Sequence, residues 1–179
     1  GTDYLPRLTS VSDDNEKIRK EVNAQTHIAL LLSVPLLAVT TLFMPYIIRI
    51  FYSSQFERAI PILSWAVLGI LGKIISWPMG FIMIAKSNSK MFFLTELVTD
   101  ALNLTATALF YRLFGLQGTG IAFALLYTFH VLLMLLVSYY ICRFKWDNQN
   151  IKLILISLAI MLVLFFNNLL TINMTLKYL

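Results

Sequence analysis

Residues 64–107 read SWAVLGILGKIISWPMGFIMIAKSNSKMFFLTELVTDALNLTAT. Two apolar runs flank a polar break, Lys86-Ser87-Asn88-Ser89-Lys90. At about 1.5 Å per helical residue, each run is long enough to cross a hydrocarbon layer of about 30 Å. The stretch therefore predicts a transmembrane helical hairpin. Each arm carries charge at a depth where charge is costly: Lys73 in the first, Glu96 and Asp100 in the second, with Asn103 and Thr107 following. Ionisable groups inside spans are rare and face a bundle interior or a wet cavity. The hairpin thus fixes both the solvent of the protein and its candidate site.

The whole composition agrees with a bilayer solvent. The 179 residues are 59% hydrophobic and 13% charged, with a mean hydropathy of +0.78. A soluble domain is nearer 25% charged. The expected fold is all-α: a polytopic bundle of about five spans. The net charge of +5 does not imply nucleic acid, because the basic residues sit at segment ends rather than in one patch. Cys142 is the one cysteine, which excludes an internal disulfide and a cysteine metal cluster.

Residues 1–23 are polar and read as a loop following the end of a preceding helix, carried by Tyr4-Leu5-Pro6-Arg7. The expectation is that the chain is a piece of a longer protein. Ser12 or Asp13 is placed to cap a short surface helix, with Glu16 in the capping-box position. Residues 24–145 hold four expected spans: about 26–50, 59–85, 91–110 and one ending near 141. Residues 146–179 hold a fifth, about 151–166, apolar enough to read as lipid-facing and closed by Asn167 and Asn168. Pro35, Pro45 and Pro78 lie within spans and predict kinks, since proline removes a helical donor. Gly69, Gly72, Lys73, Ser76 and Gly80 share one helical face, as do Glu96, Asp100, Asn103 and Thr107. Gly115-Leu116-Gln117-Gly118-Thr119-Gly120 lacks the strand a phosphate loop needs and reads as a tight turn. His27 reads as interfacial and His130 as a satisfied core histidine.

Outside Lys73, nine Lys and Arg fall in the leading segment, in 86–90 and in 143–152, and four on the other side. The positive-inside rule puts the first set in the cytoplasm. Lys73 is fifteen residues before Asn88 and Asn103 fifteen after it. The two therefore lie at one depth, and Lys73 is expected to reach Asp100.

Several motifs resemble the later half of polysaccharide-lipid flippases, including O-antigen translocases, of the multidrug/oligosaccharidyl-lipid/polysaccharide exporter superfamily. They are Tyr4-Leu5-Pro6-Arg7-Leu8, Pro45-Tyr46-Ile47-Ile48, Phe56-Glu57-Arg58-Ala59-Ile60-Pro61, Lys73-Ile74-Ile75-Ser76-Trp77-Pro78 and Gly115 to Ala122. The match covers roughly residues 4–145. It implies the second of two six-helix bundles around a central cavity, with the N-terminal bundle of the same protein as partner. The span over 151–166 departs from the twelve-helix form. The implied function is flipping an undecaprenyl-pyrophosphate-linked oligosaccharide from the cytoplasmic to the outer leaflet of the inner (plasma) membrane during surface polysaccharide synthesis. The protein would be a transporter, not an enzyme, with no cofactor. Membrane lipids and the lipid-linked oligosaccharide would be its other partners. Lys73, Glu96, Asp100 and Asn103 would line the substrate path. Lys73 would attract pyrophosphate, Glu96 or Asp100 would take up a coupling proton or cation, and Pro35, Pro45 and Pro78 would serve alternating access.

Three other readings compete, a structural or assembly subunit being the third. A drug/cation antiporter of the same superfamily would favour the acidic residues, though Lys73 opposes it. A membrane-embedded glycosyltransferase or acyltransferase would need a nucleophile or base set. No HExxH pair and no Ser with His and Asp partners is evident in the sequence.

Overall fold

A computed structural model describes residues 3–52 and 54–177, and the side-chain surroundings of these except 54, 55, 58 and 171–177. The side chains of Arg58 and Lys177, used in the charge count, fall outside that description. Six α-helices follow in order: α1 (Tyr4–Ser10), α2 (Asn15–Phe51), α3 (Ile60–Ala85), α4 (Ser89–Phe114), α5 (Leu116–Cys142) and α6 (Asn148–Lys177). A 3₁₀ turn over Ser54–Ala59 precedes α3, and no strand occurs among the described residues. The all-α expectation holds.

The second helix begins eleven residues before the expected span, at Asn15 rather than near Thr26. Its buried face explains this. Ile18, Val22, Thr26, Leu30 and Val34 recur every four residues and are all buried. One stripe thus runs unbroken from the polar segment into the apolar one. The cap is Asp14, not Ser12 or Asp13: its Oδ1 accepts from the amides of Glu16 at 2.9 Å and Lys17 at 3.2 Å. Those donations hold its carboxyl below the usual carboxylate range, Lys17's amide contributing most.

The third helix is the hub. It packs most extensively on α5 and also touches α1, α2, α4 and α6. Small residues on both α3 and α5 permit this: a Cβ at Gly72 of α3 would lie 3.1 Å from Tyr127 Cβ, and one at Gly120 of α5 would lie 2.6 Å from the Ile62 carbonyl oxygen. Such close approach is how helices associate in a bilayer. Gly115 has φ +61°, a backbone state glycine adopts freely. It lets the chain reverse directly from α4 into α5, as the glycine-rich turn predicts.

Helices α2 and α3 run through their prolines. Pro45 has no N–H to offer the carbonyl four residues earlier, that of Thr41. Asn168 of α6 supplies the donor instead, with Nδ2 3.1 Å from Thr41 O and 3.4 Å from Ser64 Oγ. This corrects the reading of the last helix as lipid-facing and closed at Asn168. Helix α6 has a packed face, with Asn150, Ser157, Met161, Phe165 and Asn168 buried. Its other face, including Leu155 and Val163, is exposed.

Two clusters of buried apolar residues hold the bundle. One joins α1 to the ends of α3 and α5 through Leu8, Ile18, Met83, Met134 and Phe144. The other joins α2, α3 and α6 through Leu30, Leu71 and Met161. Outside them, Leu32 of α2 is 72% exposed and Leu104 of α4 is 76% exposed. Water would not tolerate an exterior this apolar.

Helices α2, α3, α5 and α6 are long and apolar enough to span a membrane. The span expected at about 91–110, α4, has 26 residues but falls outside that set. Lys90, Thr95, Glu96, Asp100, Asn103 and Arg112 lower its apolar content. Among the described residues the ion pairs Arg7–Glu21, Lys17–Asp14, Lys20–Glu16 and Arg49–Glu57 all lie toward helix ends.

Candidate functional site

Helices α3, α4 and α5 enclose a cavity of about 370 Å³. The spacing that joins the polar residues of α4 on one helical face brings Glu96, Asp100 and Asn103 to its wall. Lys73 and Ser76, on the small face of α3, form the facing wall. The hairpin geometry therefore gathers all four sequence-predicted path residues. Thr107 stands just beyond, its hydroxyl 3.3 Å from Asn103 Oδ1. Thr95 and Thr99 turn into the protein and donate to backbone oxygens one turn earlier.

The expected Lys73–Asp100 ion pair is not formed. No carboxylate lies within 4.0 Å of the Lys73 ammonium among the described residues. Lys73 Nζ instead sits 5.6 Å from the centroid of the Tyr127 ring, at cation–π range. The reason is lateral placement. Helix α4 packs chiefly on α5 and only lightly on α3, so equal depth does not bring the two side chains together. Lys73 and Asp100 are both exposed at the cavity mouth.

Two residues of α5 complete the site. Tyr127 and His130 line it, their ring centroids 5.8 Å apart. His130 was expected to be a satisfied core histidine. It is buried, and Nδ1 lies 2.9 Å from Ser76 Oγ, but Nε2 is buried without a partner. Only the register of α5 on α3 brings His130 to this wall, and that register depends on contacts such as Gly72 against Tyr127. Trp77, 40% exposed, and Phe81 add an aromatic edge, their centroids 4.8 Å apart. Tyr4 of α1 stacks behind them and donates to the Pro78 carbonyl at 2.9 Å. Burial pushes the Tyr4 hydroxyl above its ordinary range, reinforced by Glu21.

Pro78 is on α3, a lining helix, but is not itself a lining residue, and Pro35 and Pro45 are on α2, which contributes none. His27 does not stand alone at an interface. Its Nδ1 is 3.2 Å from Asn150 Oδ1, inside a clasp where Asn150 Nδ2 reaches Asn23 at 2.9 Å. This clasp fastens α6 to α2. Among the described residues no three His, Cys, Asp or Glu side chains converge as metal donors.

The cavity can hold a polar or charged group between one ammonium and two carboxylates, with an amide and an imidazole beside them. Among the described residues, four helices long and apolar enough to cross a membrane, together with a polar cavity, give the class of the chain: an all-α membrane protein. Comparison with protein-family models, curated proteins and solved structures returns no match.

Proposed function

We propose that this chain is part of a flippase that moves an undecaprenyl-pyrophosphate-linked oligosaccharide from the cytoplasmic to the outer leaflet. The observation that carries this reading is a polar cavity with Lys73 at its mouth and, among the described residues, no carboxylate within ion-pair distance of it. An ammonium without an ion-pair partner, held by an aromatic face, is free to attract a passing pyrophosphate. At about 4 Å and an effective dielectric of about 20, each unit charge of that group gains about 4 kcal/mol from Lys73. Glu96, Asp100 and Asn103 offer acceptors to sugar hydroxyls, and Trp77 offers a ring face. The motif resemblance to polysaccharide-lipid flippases supports the same reading. In it, the open side of the cavity faces the N-terminal bundle, the basic end is cytoplasmic, and Pro35, Pro45 and Pro78 are hinge points.

The test is complementation of a strain lacking its polysaccharide flippase. Lys73→Ala is expected to lose surface polysaccharide while protein level and membrane insertion stay normal. Full activity of that variant would remove the cavity from the substrate path. The cavity's two carboxylates against one ammonium favour a second reading, a drug/cation antiporter. Organic cations that compete for transport, with Lys73→Ala improving rather than abolishing it, would select that reading.

A further inference from the structure

The buried base of the cavity holds an ionisable group that the proposed path leaves unused. His130 is 8% exposed. Its Nδ1 lies 2.9 Å from Ser76 Oγ, and Ser76 Oγ lies 3.1 Å from the Lys73 carbonyl oxygen. A carbonyl oxygen can only accept, and with the serine proton directed to it one tautomer follows. Ser76 Oγ then accepts from His130, and Nδ1 carries the hydrogen. That arrangement fixes the tautomer of the neutral ring and leaves a lone pair on Nε2. Nε2 is buried and has no partner among the described residues.

The surrounding charges say when it is filled. Toward the cavity, α3 presents Lys73, α4 presents Glu96 and Asp100, and α5 itself presents Tyr127. Helix α2 contributes nothing to the lining. With His130 neutral, one ammonium faces two carboxylates, and the formal balance is one negative charge. An anionic group drawn to Lys73 adds to that negative charge, with two carboxylates opposite it. Protonation of His130 brings the balance to zero and turns Nε2 from acceptor to donor.

We propose that Nε2 of His130 takes up a proton as an anionic phosphate-class group enters the cavity, so that cargo and proton bind together. This rests on the anionic-cargo reading above. The proton comes from water or buffer, the Nε2–H bond is the one formed, and no electron is transferred. It assigns the coupling proton to His130 rather than to Glu96 or Asp100.

The experiment is calorimetric titration of undecaprenyl pyrophosphate into the purified protein in zwitterionic nanodiscs. It is run at about pH 7.5, above the ordinary histidine range, in buffers of different ionisation enthalpy. Uptake of about one proton is expected, with affinity falling about tenfold per pH unit above that point. His130→Gln should bind more weakly and without the uptake. Inorganic pyrophosphate and undecaprenol separate the phosphate from the chain. Uptake with pyrophosphate alone supports a site that reads phosphate, and equal uptake with undecaprenol overturns it. Binding of undecaprenyl pyrophosphate with no uptake overturns the inference and leaves the flippase reading standing. No binding of that probe overturns both. Uptake lost in Glu96→Gln but kept in His130→Gln moves the proton to Glu96 and overturns the assignment. A second measurement is independent of whether His130→Gln folds. Ring ¹⁵N resonances of His130, isolated in a His27→Gln background, should show a bare Nε2 without ligand and two N–H groups with it. A ligand-free Nε2–H tautomer overturns the proposal.

Discussion

Gly118 sits where α5 doubles back on α4, and a Cβ there would overlap the Phe110 carbonyl oxygen. Backbone cannot swing aside as a side chain can. Gly118→Ala is therefore expected to cost about 1–3 kcal/mol, read as a lower Tm in detergent. Gly80 is the control, because a Cβ there meets nothing within 4 Å. Gly80→Ala should be neutral or stabilising by up to about 1 kcal/mol through helix propensity. Equal losses in both would show that the α4–α5 approach is not what Gly118 serves. A second residue-scale effect depends on pH. The Asp14 carboxyl is held below its ordinary range by the amides it caps. A depressed folded-state value means the cap's contribution is present above the ordinary carboxylate range and is lost as pH falls through the folded value. The amide shifts of Glu16 and Lys17 should move together in that acid window, below about pH 4. Asp14→Asn should keep the cap and abolish the titration, since Asn also caps well. A wild-type titration unchanged by Asp14→Asn would assign the effect to another carboxylate.

At the scale of elements, Pro45 and Asn168 form a pair that neither helix explains alone. Proline leaves the Thr41 carbonyl without its intrahelical donor, and α6 brings Asn168 to it. Asn168→Leu is expected to cost about 1 kcal/mol, in the range of hydrogen bonds between membrane helices. In a Pro45→Ala background the Thr41 carbonyl regains an N–H four residues on, and the same substitution should cost less. A double-mutant cycle measures the difference, and a coupling of zero would mean the bond adds nothing to α6 docking. This pair also shows what the sequence made legible. Pro45 read as a kink and Asn168 as a helix end, because periodicity describes one helix at a time. The meeting of Asn168 with the Thr41 carbonyl is a tertiary fact between residues 127 apart. The stripe Glu96, Asp100 and Asn103 was legible because it is local, as was the small face of α3. The Lys73–Asp100 pair failed because spacing along a hairpin gives depth but not lateral distance. The place of His130 in the cavity wall was hidden for the same reason, since it depends on where α3 and α5 meet.

On the scale of the whole molecule, the basic regions converge. Phe144, after α5, packs in one cluster with Tyr4, Leu8 and Ala85, and Asn23 receives the amide of Asp147 at 3.0 Å. The leading segment, the α3–α4 turn and the α5–α6 connection therefore share one end of the bundle, and the α4–α5 turn lies at the other end of the same helices. Charge asymmetry orients such a bundle, because basic loops resist translocation. The basic end is expected to be cytoplasmic. Single-cysteine variants in a Cys142→Ala background test this. Asn88→Cys and Gln117→Cys are both at exposed positions in turns or helix starts. An impermeant maleimide added to intact cells should label position 117 and spare 88, and lysis should expose 88. The reverse pattern would invert the bundle and put the basic loops outside. Labelling of both positions in intact cells would mean that α4 does not cross the bilayer. The last outcome matters most for function. Helix α4 is the one long helix whose polar residues remove it from the clearly apolar set. If it spans, its polar face is sustained by the cavity it helps to build. If it does not, Glu96 and Asp100 meet water directly, and the cavity loses the low dielectric that would give Lys73 its hold on a passing phosphate.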